Sequence, residues 1–160
     1  MSVKVTSSDL HRAIGSVLQT LNGISELYPG QLSLLEKLFE NNNVFLTAST
    51  NSGKTLPAVL FPEIVRELSD VGYDYPPNPK LLFVTPLNSL QISLVYNVRA
   101  LGLNCEAVTT DNVERVLDSD TTALFISPEV LKQPRVTQTL LKYRSSFVLK
   151  VVDECHLGLC

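Results

Sequence analysis

Ala48-Ser49-Thr50-Asn51-Ser52-Gly53-Lys54-Thr55 is the stretch that decides how this chain is read. An apolar run, Val44-Phe45-Leu46-Thr47, precedes it, and a segment with helical apolar spacing (Leu56, Val59, Leu60, Ile64, Val65, Leu68) follows. Strand, small-residue loop, Gly-Lys-Thr and helix, in that order, make a phosphate site, because loop N–H groups and a helix N-terminus face an anion. In such a site Lys54 brings a point charge to the β- and γ-phosphates, and the Thr55 hydroxyl holds the accompanying Mg2+. Gly-Lys-Thr alone recurs by chance. A second motif gives it weight: Val151-Val152-Asp153-Glu154-Cys155-His156, an apolar strand delivering two adjacent carboxylates, as a metal-and-water site requires.

Outward from these motifs the chain alternates apolar runs with helical stripes. Ser7-Ser8-Asp9 can cap a helix carrying Leu10, Ala13, Ile14, Val17, Leu18 and Leu21, which Asn22-Gly23 ends. Tyr28-Pro29-Gly30 reads as a turn and Gln31 as the start of a second helix, stopped by Asn41-Asn42-Asn43. In the helix after Thr55, Pro57 fits the first turn and Pro62 should bend it. Residues 70–80, with Gly72, Pro76, Pro77 and Pro79, read as an exposed loop. Strands are expected at 81–85, 105–109, 123–126 and 147–152, and helices at 87–101 (capped by Gly102), 113–117 and around Val130 and Leu140. Wholly apolar strands alternating with helices indicate an α/β fold with a parallel sheet covered on both faces. Ligands of such sheets bind beyond the carboxyl ends of the strands. Lys54-Thr55 and Asp153-Glu154 both fall there, and Thr85-Pro86 and Ser127-Pro128 should line the same rim.

The chain has 160 residues, enough for one domain with a sizeable core at 44% hydrophobic content. No apolar run approaches the ~20 residues of a membrane span. The N-terminus lacks the apolar core of a secretion signal. Cys105, Cys155 and Cys160 form no Cys-x-x-Cys pair, which suits reduced thiols inside a cell and gives no zinc pattern. A net charge of −3 argues against a domain that coats nucleic acid non-specifically. Between Val130 and Val152, however, no acid occurs beside Lys132, Arg135, Lys142, Arg144 and Lys150. That run is either a solvated helix face or a phosphate-facing surface.

Taken together these residues resemble the first RecA-like domain of superfamily 2 helicases, and most of all the RecQ type. Tyr28-Pro29-Gly30-Gln31 is similar to the Pro-Gly-Gln adenine motif, with Leu27-Tyr28 where that family has Phe-Arg. Ala48–Thr55 matches motif I, with Asn51 at a usual glycine position; Asn tolerates positive φ better than other side-chain-bearing residues. Residues 84–90 resemble motif Ia, 125–129 the next nucleic-acid motif, and Asp153-Glu154-Cys155-His156 is a DExH box. The resemblance implies a RecA-like P-loop fold over 28–160, preceded by a helical segment over 1–27. It implies ATP and Mg2+ as cofactors and nucleic acid, DNA ahead of RNA, as partner, with 3′→5′ unwinding. A eukaryotic RecQ-like protein would be nuclear.

The resemblance also distributes roles. Gln31, with Tyr28 beside it, would read the adenine edge with its amide donor and acceptor, a helix N-terminal cap being the alternative role. Ser49, Thr50, Asn51, Ser52, Gly53, Lys54 and Thr55 would cradle the phosphates. Asp153 would anchor Mg2+ through water, with Thr55, and Glu154 would orient or deprotonate the attacking water. His156 would couple hydrolysis to nucleic-acid contact. Thr85, Asn88, Ser89 and Ser127 would touch nucleic-acid phosphates, which positions a strand without reading its sequence; for these four, ordinary loop and helix-cap chemistry stands as the alternative. In the family a strand with motif III and a second RecA-like domain with catalytic arginines follow the DExH box. The expectation is therefore a helicase fragment, missing the strand after motif II and the C-terminal domain, with little activity of its own. A non-catalytic nucleotide- or nucleic-acid-binding regulatory module is the competing class, and a phosphate-loop ATPase unrelated to nucleic acid a third. Glu154→Gln separates the first two, since it abolishes turnover only in a motor.

Overall fold

The computed structural model describes residues 4–40, 55–86 and 89–152. Within them four strands pair in parallel: β1 (Lys80–Val84), β2 (Cys105–Ala107), β3 (Ala123–Ile126) and β4 (Phe147–Val152), in the order β2-β3-β1-β4. The expected strands at 81–85, 105–109, 123–126 and 147–152 are these, shifted or shortened at the ends. The run Val44–Thr47 lies outside the described residues. Helices α1 (Ser7–Gln19), α2 (Pro29–Glu40) and α3 (Thr55–Asp70) come before β1. α4 (Ser89–Ala100) links β1 to β2, and α5 (Val113–Asp118) links β2 to β3. α6 (Pro128–Leu131), α7 (Pro134–Lys142) and a 3-10 turn (Arg144–Ser146) lead to β4.

β1 is buried along its whole length, which is why its sequence, Lys-Leu-Leu-Phe-Val, shows no polar alternation. Its period-2 side chains supply two cores. Leu81 and Phe83 join Phe125, Leu149 and Val151 under α1, α2, α3 and α4. Leu82 and Val84 join Leu124 and Ile126 under α5 and α7, through Val113, Val116, Val136 and Leu140. Phe83 faces Phe125 across the ladder with ring centroids 5.3 Å apart. Helices therefore cover both faces, as the apolar strands predict. α3 runs unbroken across Pro62, and Phe61 stacks on Phe39 of α2 at 4.4 Å.

The outer edge of β2 is closed by side chains. Ala123 N–H takes the Asn104 carbonyl and Val108 N–H donates to Phe125, so the Cys105 and Ala107 carbonyls face away from β3. Arg99 Nε donates to the first at 3.1 Å and Asn112 Nδ2 to the second at 3.0 Å. Such capping blocks the edge against pairing with another chain. The Cys105 thiol is buried, donates to the Val95 carbonyl, and has its pKa raised by that burial, so it is a core group and not a reactive one.

Lys80 opens β1 at the edge opposite the carboxyl ends and is only 1% exposed. Its ammonium donates to Ser119 O at 2.8 Å and Thr121 O at 2.7 Å, tying β1 to the α5–β3 connection. Burial holds its pKa below the ordinary lysine value, with Asp120 acting in the opposite direction. Lys80→Met keeps the volume and removes both donors. Orphaned buried carbonyls cost about 1–3 kcal/mol each, so a thermal melt of the variant should fall by several degrees. An unchanged midpoint would contradict the assigned role.

The cap of α1 is Thr6, whose hydroxyl accepts the Asp9 N–H at 3.2 Å; Ser7, Ser8 and Asp9 form the first turn instead of the cap. Asp9 is thereby turned toward the Tyr73 hydroxyl, which donates to its carboxylate at 2.6 Å, and toward Arg12, also at 2.6 Å. The Tyr73 hydrogen bond, helped by Thr6 and Arg12 against some desolvation, lowers the Asp9 pKa from 3.8. A carboxylate more acidic in the fold than in the unfolded chain stabilises above its unfolded pKa, and that stability is lost as pH falls through the lower, folded value. Tyr73→Phe should therefore melt earlier than the parent at neutral pH, with the gap closing below the carboxylate range. A gap that is the same at both pH values would rule the linkage out.

Candidate nucleotide and nucleic-acid site

Because all four strands are parallel, their carboxyl ends form one rim. Thr85 follows β1 and Ser127 follows β3, and these strands are neighbours, so the two residues stand side by side. The Thr85 N–H donates to the Ile126 carbonyl at 2.9 Å, the last rung before both chains leave the sheet. β4 reaches the same rim at Val152, opposite Val84. The structure thus brings together the rim positions that the sequence assigns to Thr85 and Ser127. Asp153, Glu154 and His156 lie outside the described residues, as do Ser49, Thr50, Asn51, Ser52, Gly53, Lys54 and Asn88.

Thr85 is fully buried. Its carbonyl accepts Gln91 Nε2 at 2.9 Å, but its hydroxyl oxygen is buried with no hydrogen-bond partner among the described residues. A β-branched threonine fits the strand exit, and a hydroxyl is the one polar group there that backbone pairing cannot satisfy. Ser127 is 3% exposed and extended, and its hydroxyl caps α6 by accepting the Val130 N–H at 3.2 Å. Pro128 in the first turn has no N–H to leave orphaned. Ser89 is exposed and opens α4.

Sequence reasoning assigned Gln91 no role, yet its amide, 2% exposed, fixes the Thr85 carbonyl. Its signal is positional. Gln91, Val95 and Val98 follow helical spacing on the buried side of α4, and a polar residue in such a stripe needs a partner inside.

Tyr28 and Gln31 form the start of α2. The helix begins at Pro29, so Pro29-Gly30 is its first turn and not a turn before it. The Tyr28 carbonyl accepts the Gln31 and Leu32 N–H groups, and Gln31 Oε1 accepts the Tyr28 N–H at 3.0 Å. Glutamine at N3 reaching back to the cap N–H is half of a capping box. This bond fixes which edge of the amide points back along the chain. The Tyr28 ring is 77% exposed. Thr55 begins α3 and is half-buried, with Pro57 tolerated in the same first turn.

The acid-free basic run does not gather at the rim. Lys132 follows α6, Arg135 lies in the first turn of α7, Lys142 and Arg144 at its far end, and Lys150 on β4; all are exposed. Arg135 also pairs with Glu114 at 3.7 Å. Among the described residues no helix is long and apolar enough to cross a membrane.

The sequence profile of the DEAD/DEAH box helicase family matches residues 28–159, most of the chain. The chain belongs to the DEAD/DEAH box helicase family. Its parallel sheet with helices on both faces is consistent with the RecA-like domain of these ATP-dependent, nucleic-acid-acting proteins. No curated protein matches the chain. Thr85, whose hydroxyl has no partner among the described residues, and Ser127, whose hydroxyl caps α6, are opposite cases on one rim. Thr85→Val removes the orphan at constant shape and should stabilise the unliganded protein by about 1 kcal/mol. Ser127→Ala removes a cap and should destabilise it by about 1 kcal/mol. Urea midpoints measure both, and a Thr85→Val midpoint below the parent's would show that the hydroxyl is already satisfied.

Proposed function

We propose that the chain is the ATP-binding half of a nucleic-acid helicase motor of RecQ type, acting on DNA with 3′→5′ polarity, inside the cell and in the nucleus of a eukaryote. The observation that carries this reading is the rim itself. A buried hydroxyl without a partner at Thr85 lies beside the α6 cap at Ser127, within the family-matched region. A phosphate oxygen is the acceptor that such a hydroxyl lacks.

The described residues fit Mg·ATP by their donor sets. Gln31 offers an amide whose orientation is set by Tyr28 N–H, and Thr55 offers a hydroxyl in the first turn of a helix. Lys54 and the backbone of Ser49, Thr50, Asn51, Ser52 and Gly53 would hold the phosphates, with Thr55 and Asp153 holding Mg2+. The metal supplies charge neutralisation at the triphosphate when bound. Glu154 would take the proton of the attacking water, and His156 would sense nucleic acid. Thr85, Asn88, Ser89 and Ser127 would hold a strand by its phosphates, with Ser127 acting through the α6 N-terminus because its hydroxyl is already engaged.

Equilibrium binding tests the reading. A fluorescent ATP analogue with Mg2+ should bind the parent. Lys54→Ala should weaken it tenfold or more, and Gln31→Ala should erase the preference for ATP over GTP. Glu154→Gln should leave binding intact. Single-stranded DNA should bind more tightly than RNA of the same length, and Thr85→Val should weaken it several-fold. Binding that ignores Lys54 and does not distinguish ATP from GTP would remove the nucleotide assignment. Equal indifference to Thr85 would remove the nucleic-acid one.

A further inference from the structure

Residues ahead of position 28 lie outside the family match, yet they are fastened to the helices that carry candidate site residues. α1 packs chiefly on α3, burying Leu10, Ala13, Ile14 and Val17 in one cluster with Val59, Ile64 and Val65. At its start, Tyr73, just beyond the end of α3, donates to Asp9 at 2.6 Å, and the same hydroxyl oxygen accepts the Thr6 N–H at 3.3 Å. Past its other end, the Asn22 N–H donates to Leu101 O at 3.0 Å and Asn22 Nδ2 to Ala100 O at 3.4 Å. Gly102 closes α4 there with φ +95°, and a Cβ on it would sit 3.4 Å from Asn22 Nδ2. Leu21 buries beside Val98 and Leu103. His11 reaches Glu36 of α2 at 3.3 Å.

Residues 6–22 therefore run from the C-terminal end of α3 to the C-terminal end of α4. The opposite ends of these helices begin with Thr55 and Ser89, one proposed to face Mg·ATP and the other nucleic acid. Apolar packing alone would seat α1 without direction. The polar anchors at both ends add a fixed length between two helix termini.

We propose that the N-terminal segment is a strap that couples the nucleotide-facing helix α3 to the nucleic-acid-facing helix α4, so that each ligand changes affinity for the other through it. This rests on the reading of Thr55 and Ser89 given above. A helix is stiff over its length, so a shift imposed at Thr55 by phosphate moves the far end of α3. The strap passes that movement to α4 instead of letting it dissipate. Asp9, Tyr73 and Asn22 are positioning residues in this account.

The test uses the whole chain and the double variant Tyr73→Phe/Asn22→Ala, which removes the Tyr73 hydroxyl anchor and the side-chain half of the Asn22 anchor, leaves the Asn22 N–H bond to Leu101 O in place, and leaves the α1 core untouched. Affinity for a fluorescent Mg·ATP analogue is measured with and without saturating single-stranded DNA, and DNA affinity with and without the analogue. In the parent the two ligands should alter each other's affinity by the same factor, on the order of fivefold or more. In the double variant that factor should fall toward one, while each ligand alone binds within about twofold of the parent. A factor that survives in the variant overturns the strap, as does a parent that binds both ligands without linkage. A parent that binds neither ligand overturns the proposed function and the strap with it. Should the double variant not fold, the two single variants decide the question: each should lose part of the linkage, and full linkage in both overturns the strap.

Discussion

The register of β1 between β3 and β4 is the constraint on which the rest of the structure depends. β1 is buried on both faces and apolar after Lys80, and a one-residue slip would exchange the side chains of its two cores. Leu81 and Phe83 belong under α1–α4, and Leu82 and Val84 under α5 and α7. The same pairing sets Thr85 beside Ser127 and brings Val152 to the rim. Site geometry is thus a consequence of core packing and needs no separate device.

The two edges of the sheet are treated differently by the chemistry. At the edge where β1 begins, a buried ammonium answers two carbonyls. At the rim, the buried Thr85 hydroxyl meets no partner among the described residues. One unsatisfied group costs about 1–3 kcal/mol against a total stability of roughly 5–15 kcal/mol, so it is a substantial local cost that one partner group would remove. The unsatisfied group stands at the carboxyl-end rim, the side on which parallel sheets bind their ligands.

Much of this was legible in the sequence. The runs at 123–126 and 147–152 become β3 and β4 without adjustment. The Gly102 cap follows from φ preference, and the helix after Thr55 from its apolar spacing. What escaped were tertiary polar contacts. Lys80 at the head of an apolar strand looks like a solvated end until Ser119 and Thr121 bring their carbonyls over it. Gln91 in an apolar stripe hinted at an interior partner, but only the fold identifies it as the Thr85 carbonyl. The cap of α1 is Thr6, ahead of Ser7-Ser8-Asp9, and the Asp9 side chain meets the Tyr73 hydroxyl instead. The start of α2 moved from Gln31 to Pro29 because Gln31 caps from inside the helix. The phosphate loop and the DExH box are read from sequence and family alone.

Convergence of motif I and the DExH box on one metal-bound triphosphate is the central claim, and a paramagnetic ion tests it most directly. With Mn2+ replacing Mg2+ in the nucleotide complex, amide resonances of Thr55, at the head of α3, and Val152, at the end of β4, should both broaden. Those of Lys80 and Phe147, at the opposite edge, should stay sharp. Broadening at only one of the two rim residues, or at the opposite edge instead, would contradict a shared site.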